Sequence, residues 1–312
     1  MTTALITHPA CLDHDTGPFH PERPDRLRRV LQALEHPRFS ALLRDLAPLA
    51  TEDQLARVHP PEYIRAILDI APEPGQRINL DADTVMSAGS REAALRAAGA
   101  AIMAVDAVMQ GWAKQVFAAV RPPGHHAERD RPMGFCLFAN AAIAARHAQA
   151  QYGLTRIAVV DFDVHHGNGT QAIFEKDRRV LYLSSHQLPL YPNTGQVGEH
   201  GVGNIVNAPL PPGSNGDLFR KAWSETLLPV LDAFAPQLLL LSAGFDGHRL
   251  DPLADLRLEA EDYRWLSAEL ARLAEKHCRG RLVSVLEGGY SLTALRECSV
   301  AHLQGLEAGT TR

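Results

Sequence analysis

Two acids and an imidazole alternate at the end of an aliphatic run in this chain, in the order Asp161-Phe162-Asp163-Val164-His165. At an extended strand end alternate side chains point the same way, so Asp163 and His165 are predicted to offer a carboxylate and an imidazole to one ion. Asp246, which follows a second aliphatic run at residues 238–241, is the candidate third ligand. One imidazole and two carboxylates suit zinc, with open positions left for water and a substrate carbonyl. His125 and His126 follow Gly124, and paired imidazoles are candidate general acid–base groups because they titrate near neutral pH. Such a base needs an orienting partner on its other ring nitrogen, for which Asp161 and Asn168 are available. Tyr290 follows two glycines that let the backbone approach a site closely, and its hydroxyl suits a developing oxyanion. Each signal alone has a plainer reading, as a polar strand end, a loop histidine pair or a half-buried tyrosine. Four strand exits carrying one such set weigh against those readings together.

The elements that must hold these groups read as strands alternating with helices. Strands are predicted at residues 4–7, 115–120, 156–163, 179–184, 237–243 and 281–286. Helices are predicted at residues 24–34, 60–70, 90–109, 137–151, 217–234, 260–276 and 291–306. This alternation implies crossover units and a parallel sheet covered on both faces. In such sheets ligands bind beyond the carboxyl ends of the strands, where the candidate residues fall. There is no internal repeat, low-complexity tract or linker, so a single domain over residues 1–312 is expected.

Composition excludes several other functions. Hydrophobic residues make up 46% of the chain and charged residues 21%, enough for a sizeable core. The net charge of -5, with no long basic run, argues against nucleic-acid binding, which needs clustered Lys and Arg. An acidic surface would not repel a cationic substrate. Cys11, Cys136, Cys278 and Cys298 form no CxxC pair, which points to reduced thiols and a cytoplasmic protein. Residues 1–10 lack a signal peptide's basic start and apolar core, and no apolar stretch approaches about 18 residues, so no membrane span is expected.

The motifs Arg121-Pro-Pro-Gly-His-His126-Ala127, Asp161-Phe-Asp-Val-His-His-Gly-Asn-Gly-Thr170-Gln171, Ser242-Ala-Gly-Phe-Asp246 and Glu287-Gly-Gly-Tyr290 resemble the histone deacetylases. The likeness is greatest to the class-two-type and bacterial deacetylase-like amidohydrolases, and the opening His20-Pro21-Glu22-Arg23-Pro24-Asp25-Arg26 is similar to the family's N-terminal segment. The resemblance implies an α/β, arginase/deacetylase-like fold with a central parallel sheet and helices on both faces. It implies zinc held by Asp163, His165 and Asp246, with His126 as general base and acid and His125 as its electrostatic companion. Asp161 would orient His125 and Asn168 would lie behind His126, where class-one-type relatives carry Asp. Tyr290 matches the active form. Potassium would sit near the zinc, on oxygens around Asp161, Asp163, His165 and Ser184-Ser185. Gly134, Phe135, Tyr191 and Leu253 would line a narrow tunnel for the acylated chain.

The expected activity is hydrolysis of the amide in N-acetylated amines, either acetyl-lysine in proteins or a small acetylated amine. An acetylpolyamine amidohydrolase is the narrower alternative. Some polyamine-selective relatives carry an acid after the third zinc ligand, and Leu253 stands at that position, while Asp251 leaves the matter open. A two-manganese ureohydrolase of the same fold is a second alternative, but Gly167 stands where those relatives carry an acid. A non-catalytic acetyl-lysine-binding protein is a third, and binding alone would need neither His126 nor Tyr290. No nucleic acid or membrane partner is expected, and assembly into a homo-oligomer is left open.

Overall fold

Short aliphatic runs form the strands of the computed structural model, which describes residues 2–310. The termini Met1, Thr311 and Arg312 of the expected single domain lie outside the described residues. In chain order the strands are β1 (Thr3–Thr7), β2 (Leu43–Leu46), β3 (Arg77–Asn79), β4 (Val85–Ser87), β5 (Gln115–Ala118), β6 (Ile157–Asp161), β7 (Val180–Gln187), β8 (Ile205–Leu210), β9 (Leu238–Ala243) and β10 (Leu282–Leu286). Among the described residues, eight of these form one sheet in the order β2-β1-β5-β10-β9-β6-β7-β8, and β3 and β4 form a separate antiparallel pair. Every neighbouring pair in the large sheet runs parallel.

Residues of β6, β7, β9 and β10 are buried along their whole lengths. Alternate residues point to opposite faces, so burial of all of them requires cover on both sides. The helices supply it: α1 (Pro24–Ala33), α2 (Glu52–Leu55), α3 (Pro61–Leu68), α4 (Ser90–Met109), α5 (Asn140–Tyr152), α6 (Asn168–Phe174), α7 (Gly216–Ala222), α8 (Leu228–Phe234), α9 (Ala260–Cys278) and α10 (Leu292–Ala308). Alanine-rich α4 packs on α5 over one face, and α9 pairs with α10 over the other. His302 of α10 marks that second face, edge-on to Phe117 of β5 at 5.6 Å and bonded to Ser284 Oγ of β10 at 2.8 Å.

Three departures from the expected elements matter. Strand β6 stops at Asp161, two residues before the predicted end, so Asp163 and His165 lie on a turn and not on alternating strand positions. The predicted helix at 217–234 is broken into α7 and α8 by a wider turn at Trp223–Leu227, in which the Leu228 N–H donates to the Trp223 carbonyl. Pro229 explains the break, because it has no N–H for the regular bond back to Glu225. The edge strands β2 and β8 and the short helix α6 complete the sheet and site without having been predicted.

Candidate active site and metal centre

Four adjacent central strands, β5, β10, β9 and β6, deliver the candidate residues, and because all are parallel their carboxyl ends share one edge. After β6 the chain curls through two side-chain-to-backbone bonds. The Asp163 N–H donates to Asp161 Oδ1 at 3.2 Å, and the His165 N–H donates to Asp163 Oδ1 at 2.9 Å. These turns, and not strand alternation, bring Asp163 and His165 together. Asp246 arrives from β9 and accepts the Val164 N–H at 2.8 Å. His165 Nδ1 then lies 3.1 Å from both Asp163 Oδ1 and Asp246 Oδ2.

The triad fits a divalent ion. Its ligand atoms all lie within 4.8 Å of one another. Four ligands held tetrahedrally at zinc distances are about 3.3 Å apart, close to the 3.1 Å between His165 and each carboxylate. Both carboxylates are fully buried. Burial and the neighbouring charge of Asp163 push Asp246 up to about 7, a repulsion that a cation between them would relieve. Burial alone would lower His165, but its bonds to the two carboxylates outweigh it and raise it to about 10.

His125 and His126 stand 4.0 Å apart, ring centre to ring centre, and are driven in opposite directions. Burial opposes a charge on His125, yet Asp161 and Asp163 raise it well above the ordinary imidazole range, with Nδ1 3.0 Å from Asp161 Oδ2. Burial lowers His126 well below that range, reinforced by the charges of His125 and His165. The two neighbouring imidazoles are thus pushed apart, His125 towards its charged form and His126 towards its neutral form. His126 Nδ1 donates to Asn168 Oδ1 at 2.8 Å.

Tyr290 sits in a turn fastened on several sides. Its N–H donates to Asp251 Oδ2 at 2.7 Å, and Arg26 of α1 donates to the carbonyls of Gly289 at 2.6 Å and Glu287 at 2.5 Å. The Arg26 guanidinium lies 4.8 Å over the tyrosine ring. Burial raises Tyr290 well above the ordinary phenol range, so its hydroxyl keeps its proton and can donate it. Among the described residues no protein group pairs with that hydroxyl.

A cavity of about 230 Å³ is lined by Asp83, His126, Gly134, Phe135, His165, Leu190, Tyr191, Leu253 and Tyr290. All four expected tunnel residues are in this lining. The loop at its wall has left-handed backbone at both Gly134 (φ 56°) and Phe135 (φ 68°). A Cβ on Gly134 would stand 2.5 Å from His126 Cδ2, so glycine lets this loop lie against the base. Asp83 and Leu190 are cavity residues that the sequence reading missed; Asp83 comes from the β3–β4 connection, which carries no motif. Asp251 is not part of this lining; its carboxylate also accepts the N–H groups of Leu253 and Ser291.

The histone deacetylase domain profile matches residues 20–306. The chain belongs to the histone deacetylase family. It is 42% identical over 299 residues to a probable deacetylase of Archaeoglobus fulgidus, covering 94% of this chain and 82% of that one. It is 38% identical over 327 residues to a histone deacetylase-like amidohydrolase of Pseudomonas aeruginosa, covering 97% and 86%. The crystal structure of the HDA15 HD domain superposes with a TM-score of 0.91 at 35% identity, covering 99% of this chain and 89% of that one. The sheet and its helical layers are therefore the arginase-like fold of histone deacetylases, and membership supports an amide-hydrolysing, deacetylase activity. No helix among the described residues of this deacetylase-family chain is long and apolar enough to cross a membrane.

Proposed function

We propose that this protein is a zinc-dependent deacetylase that hydrolyses the amide of N-acetylated amines, either acetyl-lysine in proteins or a small acetylated amine. Residues 1–312 are read as one deacetylase domain acting in the cytoplasm, in keeping with four free, buried cysteines. The reading is carried by one observation: His165 of the ligand triad, the His126 imidazole and the Tyr290 phenol line the same small cavity.

Asp163, His165 and Asp246 would hold zinc, which when bound polarises the acetyl carbonyl and acidifies a water. His126 takes the water's proton at Nε2 while Asn168 holds its Nδ1–H. His125, kept cationic by Asp161 and Asp163, adds positive charge beside the developing negative charge. Tyr290 donates its O–H to the oxyanion forming at the carbonyl. His126 then returns the proton to the leaving nitrogen, so that the C–N bond breaks to give acetate and a free amine.

The walls of Gly134, Phe135, Tyr191 and Leu253 suit an apolar methylene arm carrying the acetamide. In the cavity lining, burial and the neighbouring charge of Asp81 raise Asp83, and this acid favours an arm flanked by hydrogen-bond donors or positive charge. Acetylpolyamine remains the narrower alternative on that ground. A ureohydrolase is disfavoured locally, since a Cβ at Gly167 would meet Asp161 Oδ2 at 2.2 Å and leave no room for an acid. The proposal includes a potassium ion on oxygens around Asp161, Asp163, His165 and Ser184-Ser185; Asp161 and Ser184 are partners in the sheet register. Elemental analysis counts both ions.

The test is acetate release from a panel of acetyl-lysine peptides and acetylpolyamines, with zinc-replete and chelator-treated enzyme. Release that is lost on chelation and restored by zinc is expected, and the preferred panel member names the substrate class. Binding of a panel member by the zinc-loaded protein without acetate release would overturn the catalytic reading in favour of a binding protein.

A further inference from the structure

We propose that Glu128 is a positioning residue: its carboxylate fixes the amide of Asn168 so that His126 carries its proton on Nδ1 and presents a bare Nε2 to the cavity. The catalytic consequence rests on the deacetylase reading; the geometry does not.

The two ends of an asparagine amide differ, one accepting and one donating, and which end faces His126 decides what His126 can do. Asn168 Oδ1 lies 2.8 Å from His126 Nδ1, while Nδ2 donates to Glu128 Oε1 at 2.9 Å and to Met133 Sδ at 3.3 Å. Turning the amide over would press its oxygen against the Glu128 carboxylate, two acceptors with no proton between them. It would also point the NH2 group at His126 Nδ1, which would then have to accept. In neutral imidazole that places the hydrogen on Nε2 and abolishes the lone pair that takes a proton from water. The carboxylate leaves only the first arrangement with a proton in every contact.

Glu128 is itself held for this task. Its N–H donates to the Arg131 carbonyl at 3.0 Å, and its Oε1 also accepts from Arg131 Nη2 at 2.9 Å. Its own charge is therefore partly balanced at the surface, and its effect on His126 is one of orientation. The other side of the relay is equally fixed: Asn168 opens α6, and the Thr170 N–H donates to the His125 carbonyl at 3.2 Å, tying that helix to the histidine pair. An aspartate at position 168 would need no such partner, because both of its oxygens accept. Asparagine there creates an ambiguity, and Glu128 removes it.

The test uses zinc-loaded protein labelled with nitrogen-15 in its histidines, with the His126 signals assigned from a His126→Phe variant. In the parent, His126 is expected as the Nδ1–H tautomer. In Glu128→Gln, whose amide can face Asn168 either way, a mixture with Nε2–H is expected, and kcat falls about tenfold with KM little changed. The double variant Glu128→Gln/Asn168→Asp restores both the single tautomer and kcat, because aspartate accepts at either end. A parent-like tautomer in Glu128→Gln overturns the proposal whatever the activity does, and so does a loss of kcat that Asn168→Asp fails to rescue. If the parent itself releases no acetate, the deacetylase reading falls while the tautomer populations still decide the role of Glu128.

Discussion

Replacing Tyr290 by phenylalanine removes one oxygen and leaves the ring that packs edge-on to Phe135 at 5.8 Å and under Arg26. The hydroxyl has no protein partner among the described residues to strand, so folding should be little affected. A donor aimed at a developing oxyanion is worth roughly 10²–10³ in kcat. Tyr290→Phe is therefore expected to lose about that factor at saturating substrate while its thermal midpoint stays near the parent's. Full turnover in the variant would exclude the hydroxyl from the chemistry. At this scale the sequence was informative where chemistry and motif coincide. His125, His126, Asp161, Asp163, His165, Asn168, Asp246 and Tyr290 were all identified by type and spacing, and the fold brings them to one edge. Asp83 and Glu128 were not identified, because an acid on a loop looks like any solvated acid until topology shows what it faces.

Elements decide how firmly the reacting groups are held. The turn between β10 and α10 carries Tyr290, and Asp251 grips it from another loop by accepting the N–H groups of Tyr290 at 2.7 Å and Ser291 at 3.3 Å. The same carboxylate accepts the Leu253 N–H at 3.1 Å, so one buried side chain fixes the backbone of two cavity-lining residues, Tyr290 and Leu253. Hydrogen bonds to a charged group are worth about 1.5–3 kcal/mol each. The burial that raises Asp251 offsets part of its three bonds, so Asp251→Ala should lower stability by a few kcal/mol and depress kcat more than it raises KM, with zinc content unchanged. Lost stability with an unaltered kcat would show that the grip serves folding alone. The central strands were legible in the sequence because burial on both faces leaves continuous aliphatic runs, as in Leu238–Ala243. The edge strands were not. In β2, Leu-Arg-Asp-Leu is mostly exposed, and β8 contains Pro209, tolerated at an edge where no neighbour needs its N–H. The turn after β6 reads as strand in the sequence because its curvature comes from Asp161 and Asp163 bonding backbone N–H groups, which hydrophobic periodicity does not report.

Across the whole molecule, several histidines outside the cavity lining are buried as neutral groups, and they tie stability to pH. His14 bonds Ser90 Oγ at 2.7 Å, and burial together with the charge of Arg121 lowers it to about 3. His59 accepts the Ala139 N–H at 3.0 Å and donates to the Arg129 carbonyl at 2.9 Å, and burial lowers it to about 4. His302 lies between Ser267 Oγ at 2.6 Å and Ser284 Oγ at 2.8 Å, and burial lowers it to about 3. Unfolded, each titrates near 6.5, so between about 6.5 and 4 the unfolded chain binds protons that the folded chain refuses. Stability from these groups is complete above that window and is lost as pH falls through it, by about 1.4 kcal/mol per pH unit for each histidine. Because the three sites join different pairs of elements, acid should unfold the protein globally and not peel off one segment. His302→Gln keeps an acceptor and a donor for the two serines but cannot take up a proton. Urea titrations at a series of pH values should therefore show the parent losing about 2 kcal/mol more than this variant between pH 6.5 and pH 5. Parallel stability curves for the two proteins would mean that His302 takes up its proton as readily in the fold as in the unfolded chain, and the account of acid sensitivity would fail with it.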